Sequence, residues 1–184
     1  MTPTGVLKQE HEHIIMMLKV MNRICSLIQD GERVRPDDLS SIIDFLRMFA
    51  DRCHHAKEEK LLFPALERVG VLRDSGPIGI MLYEHEQGRS LVRSMDDSVR
   101  RFAGGEVTQE SAIVANASRY SDLLSGHMAK EESVLFTMAD QRLNETEKKD
   151  ILAGFDEIER KEAGEGTHGK YHALLQGLIE RYLR

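Results

Sequence analysis

Tryptophan is absent from this 184-residue chain, prolines number four, cysteines two, and aromatic residues make up 5%. Each shortage excludes something. So few prolines leave long stretches free to run as uninterrupted helix. Cys25 and Cys53 stand alone, with no C-x-x-C motif and no even framework. Both fall on apolar helical stripes and read as small buried hydrophobes, with redox activity or disulfide formation as the lesser alternative. Lysine and arginine never form a block, and the formal charge is −6. That balance argues against a nucleic-acid partner and against a membrane surface. The longest apolar run near the start is IIMML at 14–18, too short for a signal peptide core or a membrane span, so a cytoplasmic location is expected.

What is present points to helix. Leucine, isoleucine, methionine, glutamate and arginine are abundant, hydrophobic residues reach 41%, and the length suits one core. Breakers divide the chain into long helical stretches. Pro3 and Thr4 open the first, Gly31 and Pro36 separate it from the second, and Pro64 bends the second near its end. GVLRDSGP at 70–77 leads into a third that stops at Gly104 and Gly105. Thr108 is the expected cap of a fourth, NETE at 144–147 starts a fifth, GEG at 164–166 closes it, and Thr167 can cap a last one. The fold class expected is all-α: an antiparallel up-down-up-down four-helix bundle over residues 1–142 with a di-metal centre in its core, plus two C-terminal helices over 143–184 packing on it.

Two phrases repeat. HHAKEEKLLFPAL begins at His54 and HMAKEESVLFTMA at His127, identical at seven of thirteen positions and 73 residues apart; EHE recurs at 10–12 and 84–86. A duplicated half-site is the economical reading. On an α-helix, positions i and i+4 differ by about 40° around the axis, so His54/Glu58 and His127/Glu131 each place an imidazole and a carboxylate on one face. Their apolar neighbours, Ala50, Leu61 and Ala65 in the first copy and Leu124 and Leu135 in the second, turn that face inward. His55 lies beside Asp51, Arg52 and Glu59 and reads as solvated, as does KEE apart from its first Glu. His11, flanked by Leu7, Ile14 and Leu18, is preferred over His13, and His85 shares a stripe with Met81 and Val92.

Four imidazoles and two carboxylates therefore enter an apolar core in which no inward Lys or Arg series matches them. Such carboxylates are costly unless coordinated. Imidazole with carboxylate and no thiolate suits iron, manganese or zinc, and six ligands suit two ions bridged by the two glutamates.

LKQEHEHI (7–14), HHAKEEKLLFPAL (54–66), LYEHEQGRSLV (82–92) and HMAKEESVLF (127–136) together resemble the hemerythrin-like, or HHE cation-binding, family over about residues 5–140. The resemblance implies a pair of oxygen-linked irons, with His11 and His54 on one, His85 and His127 on the other, and Glu58 and Glu131 across both. Manganese or zinc could substitute. Two positions depart from the oxygen-carrying members. Arg89 stands where they have a further histidine, and Glu131 follows its histidine by four residues rather than an aspartate by five. His168 and His172, at i and i+4 in THGKYH, are candidates to complete the short coordination or gate ligand entry; surface or capping roles are the alternative.

The function implied is a non-haem di-iron protein that binds oxygen or nitric oxide for sensing, storage or detoxification. The alternative is a di-iron enzyme or iron-handling protein acting in peroxide or nitric oxide turnover or iron-centre repair, for which Arg89 or Tyr120 near the site would serve as proton or charge partner. A second copy of the chain and an unidentified protein are the partners left open. Helical phase alone generates one test: His54→Ala and Glu58→Ala should each lose most bound metal while His55→Ala keeps it, and His168→Ala or His172→Ala should perturb an iron spectrum if either ligates.

Overall fold

The computed structural model describes residues 1–164 and 166–184, with the side chains of Glu162, Ala163 and Thr167 outside the description. Helix is the only regular structure among these residues. α1 is Pro3–Gln29, where Thr2 accepts a hydrogen bond from the Gly5 amide at 3.1 Å and Pro3 fills the first turn. α2 covers residues 36–68 and α3 is Pro77–Ala103, each opening on a proline. α4 covers residues 110–142, α5 residues 145–163, and α6 is Thr167–Tyr182. Gly70 (φ 88°) and Gly105 (φ 99°) turn the chain after α2 and α3 in the left-handed region that favours glycine.

The Asn144–Glu147 capping box is present in full: Asn144 accepts from the amides of Thr146 and Glu147 at 3.0 Å, and Glu147 accepts from the Asn144 amide at 2.9 Å. Thr108 is not a cap. The chain enters α4 through a tight turn, Val107–Gln109, whose own backbone bond from Gln109 to Glu106 at 3.0 Å replaces the side-chain bond expected. Gly164 (φ 90°) ends α5 as expected. Glu165, in the middle of the anticipated GEG stop, and the Thr167 side chain, the anticipated cap of α6, lie outside the described residues.

Neither repeat-bearing helix is uniformly α-helical. In α2 the turns widen to π geometry over Leu46–His55 and again over Glu58–Leu62, before Phe63–Arg68 resumes the α pitch with Pro64 in its first turn. α4 widens in the same way over Glu131–Leu135. Such turns are rare and concentrate at functional sites. Both copies widen at the glutamate of the repeated phrase, although the second has no proline behind it, so Pro64 is not the shared cause.

α1 packs on α4, α4 on α3 and α3 on α2, with short connections that make neighbours antiparallel. The buried apolar residues form two clusters stacked along the bundle. One contains Ile14 and Met17 of α1, Phe49 of α2, Val92 of α3 and Leu124 of α4. The other contains Leu7, Leu62, Phe63, Met81, Leu135 and Phe136. On each of the four helices a histidine falls between the two clusters, so a polar layer crosses the core.

α5 and α6 cover one flank. α6 lies on α1, where Tyr171 enters the first cluster edge-on to Phe45 (5.8 Å) and donates its hydroxyl to Asp44 at 2.7 Å. Asp38, buried at the start of α2, accepts from the Tyr182 hydroxyl at 2.6 Å and the Arg181 guanidinium at 2.5 Å. No helix among the described residues is long and apolar enough to cross a membrane. Tyr171 should therefore matter through its ring: Tyr171→Ala is expected to cost about 3–5 kcal/mol in urea unfolding, against about 1 kcal/mol for Tyr171→Phe, and equal losses would mean that the ring is not seated.

Candidate metal centre

The polar layer is built by one rule applied four times. His11 Nδ1 lies 2.8 Å from Glu132, His54 Nδ1 2.9 Å from Glu10, His85 Nδ1 2.7 Å from Glu59, and His127 Nδ1 2.9 Å from Glu84. A carboxylate can only accept, so each Nδ1 carries the proton and each Nε2 is left as a lone-pair donor aimed inward. Every one of these outer glutamates is the chain neighbour of an inward ligand on the next helix: Glu10 precedes His11, Glu84 precedes His85, Glu59 follows Glu58, and Glu132 follows Glu131. The imidazoles are also seated by rings, His11 stacked on Phe136 (5.4 Å) and His85 on Phe63 (5.9 Å), two phenylalanines at matching places in the repeat.

The inward atoms converge at short range. His85 Nε2 and His127 Nε2 face each other at 3.0 Å, two lone pairs that repel unless a cation or a proton sits between them. Glu58 directs Oε1 at His54 Nε2 and Oε2 at His85 Nε2, both at 3.6 Å. Glu131 directs Oε2 at His11 Nε2 (3.3 Å) and Oε1 at His127 Nε2 (3.1 Å). The Nε2 atoms of His11 and His54 and all four glutamate oxygens are buried with no hydrogen-bond partner. Burial, then the charge of Glu131, pushes Glu58 well above the usual carboxylate range. Burial acts on Glu131 too, but the imidazoles of His127, His11 and His85 outweigh it and hold that group well below the range. Burial drives His54 down to about 4, with Glu10 only partly offsetting it, so its imidazole is neutral and free to donate a lone pair.

His55 overturns its helical-phase reading. It is buried, not solvated, because the widened turns over Leu46–His55 add residues per turn and swing the next side chain inward behind His54. Its ring stacks on His85 at 3.9 Å, its Nδ1 lies 3.4 Å from Asp51, and its Nε2 is buried without a partner. Burial, then the neighbouring His85, pushes it well below the imidazole range, so it too is a neutral donor. Two groups of potential ligand atoms result, His11, His54, Glu58 and Glu131 in one and His55, Glu58, His85 and His127 in the other. Glu58 belongs to both. Arg89 is not a ligand: it donates to Asp51 (2.8 Å) and Glu59 (2.7 Å) together, tying the partners of His55 and His85.

Buried imidazole nitrogens and carboxylates converging at this range fit a pair of cations, which would take the place of the protons the groups otherwise share, and all donors in the layer are nitrogen or oxygen. A family model described as the hemerythrin HHE cation-binding domain matches residues 2–139. The chain belongs to that family. Among curated relatives, the iron-sulfur cluster repair protein YtfE of Edwardsiella ictaluri is 28% identical over 134 residues, 71% of this chain and 60% of its own. Uncharacterized proteins of Mycobacterium tuberculosis and Mycobacterium bovis are 24% identical over 153 residues, 79% of this chain and 59% of theirs. The chain thus spans about 60% of the length of these relatives. No solved structure matches it.

Of the eight residues singled out from the sequence for this HHE domain, six meet in the layer and two do not. His168 Nε2 lies 3.2 Å from Glu10 and 3.0 Å from Glu159, with Cys53 Sγ at 3.7 Å. Those hydrogen bonds, Cys53 first and then Glu10 and Glu159, push His168 up to about 11, which makes it an imidazolium with no lone pair to give. His172 stands edge-on to His13 at 3.9 Å. Lys57 also corrects the solvated reading of KEE: it is 0% exposed, and its ammonium bridges Glu10 and Glu159. Its counterpart Lys130 bonds Glu84 in the same way, but its side chain is 46% exposed, because α5 and α6 cover only the first copy.

The glutamate partners were missed because they look like solvated neighbours of the ligands; the sign available was that both EHE and KEE repeat with their flanking acids intact. His55→Ala is now expected to lower metal affinity, the reverse of the helical-phase expectation. Glu84→Gln should lower it about 10–100-fold while circular dichroism stays unchanged, and unaltered metal titrations for both would refute the layer's geometry.

Proposed function

We propose that this chain holds two iron ions and binds a small diatomic ligand, oxygen or nitric oxide, beside them. His11 and His54 would hold one ion and His55, His85 and His127 the other, with Glu58 and Glu131 across both. The observation that carries this reading is that each inner carboxylate aims one oxygen at the imidazoles of each group. When bound, the irons supply two adjacent one-electron centres with coordination positions left for a ligand. The chain's residues do the rest. The outer glutamates fix the tautomer that turns the lone pair of each neutral imidazole inward, the two apolar clusters exclude water from above and below, and Arg89 holds Asp51 and Glu59 so that the second group cannot splay.

A second reading is favoured by the similarity to a protein named for iron-sulfur cluster repair: the same site would store iron and give it up to an acceptor. Reduced, iron-loaded protein distinguishes the two. Two irons per chain and a visible band that appears in air and vanishes on removing oxygen, or forms with nitric oxide, is the result expected for ligand binding. Iron that passes to an apo iron-sulfur acceptor without such a band would replace it with the iron-handling reading, and substoichiometric iron would sink both.

A further inference from the structure

A cavity of about 390 Å³ opens between α2 and α3, and its floor is formed by His55 and by Tyr120 of α4. That volume lies within the range of small-molecule sites, about 300–1,000 Å³, and an order of magnitude above the ~30 Å³ share of one water. It is far more space than a diatomic ligand needs. Gly88 forms part of one wall, and a Cβ there would stand 3.5 Å from the Tyr120 ring, so the absent side chain leaves the ring open to the cavity.

The acceptors around this space are already engaged. Asp51 receives Arg89 and faces His55, and Asp44 receives Tyr171 and Lys170. Donors are left over. Tyr120 is 2% exposed, and its hydroxyl has no hydrogen-bond partner among the described residues. Arg52, on the rim, likewise has no partner among them. Arg47 and Arg93 also line the cavity, the first paired with Asp96 and the second with Glu86 at 3.0 Å. Arg89 is paired as well, so Arg52 is the lining guanidinium left among the described residues to receive an anion, while Leu46, Met48 and Val92 give it an apolar wall.

We infer that this cavity binds a small organic carboxylate, its charge received by Arg52 and the Tyr120 hydroxyl and its apolar body against Val92 and Leu46. The bound molecule lies one imidazole away from the metal group, since His55 walls both spaces. This site is argued from its own lining, so it goes beyond the proposed metal chemistry and does not depend on which metal is present.

Calorimetric titration of the full chain with benzoate, in metal-free and metal-loaded forms, tests the inference, with benzamide as the uncharged match and inorganic phosphate as the anion without a body. Saturable benzoate binding, at least about tenfold tighter than benzamide, is expected. Arg52→Gln and Tyr120→Phe should each weaken it about five- to tenfold with metal stoichiometry unchanged. Absence of saturable benzoate binding, equal affinity for benzamide, indifference to both substitutions, or tighter binding of phosphate than of benzoate would each overturn it. Metal stoichiometry, read on the same samples, reports separately on the di-iron reading: a chain that binds benzoate but not two irons loses only the latter.

Discussion

Two carboxylates buried side by side between apolar clusters are the constraint on which the rest of this structure depends. Glu58 and Glu131 are wholly buried, with no hydrogen-bond partner among the described residues. The cationic side chains bonded to the layer, Lys57, Lys130, Arg89 and His168, reach its outer glutamates and not the inner pair. An ion pair built from the chain's own residues would have had to bring a long basic side chain into the same small space. Instead the sequence surrounds the pair with imidazoles whose outward nitrogens are held by carboxylates, so that each ring, when neutral, turns its lone pair inward. A bound cation would balance that buried charge, and so would belong to the fold's electrostatics as well as to its chemistry.

The repeated phrase becomes readable position by position. Its histidine donates inward. Its lysine grips the glutamate that orients that same histidine, its first glutamate spans the two groups, and its second orients a histidine on the neighbouring helix. The leucine enters the lower apolar cluster, and the phenylalanine seats the imidazole it stacks upon. The two copies nevertheless do not see the same surroundings. α5 and α6 bury Lys57 against Glu159 and His168, while Lys130 faces solvent. A duplicated site has thereby acquired one sheltered half and one open half.

Much of this was legible from spacing. The bundle follows from breakers and periodicity, four of the six inward residues follow from i, i+4 pairs, and His11 and His85 follow from the apolar stripes they share. His55 was not legible, because the argument assumed 3.6 residues per turn across a segment whose turns are wider, and no residue type announces that change. Lys57 was not legible because its burial depends on a helix a hundred residues later in the chain. Thr108 shows the same limit on a smaller scale, a good capping residue set aside when the backbone found its own bond. His168 lies close to the site as its position hinted, but three hydrogen-bond partners turn it into a cation that supports Glu10.

The ring of carboxylate–imidazole pairs has a further property. Glu10 orients His54 and Glu84 orients His127 within one hairpin each, whereas Glu59 orients His85 and Glu132 orients His11 across the two. The ring therefore closes on itself with no first or last member, and the connection at 69–76 contributes nothing to it. Each hairpin is half of a self-complementary design, and the single chain is a covalent dimer of that half. The helices after residue 144, and His55 where the second half has Met128, distinguish one half from the other.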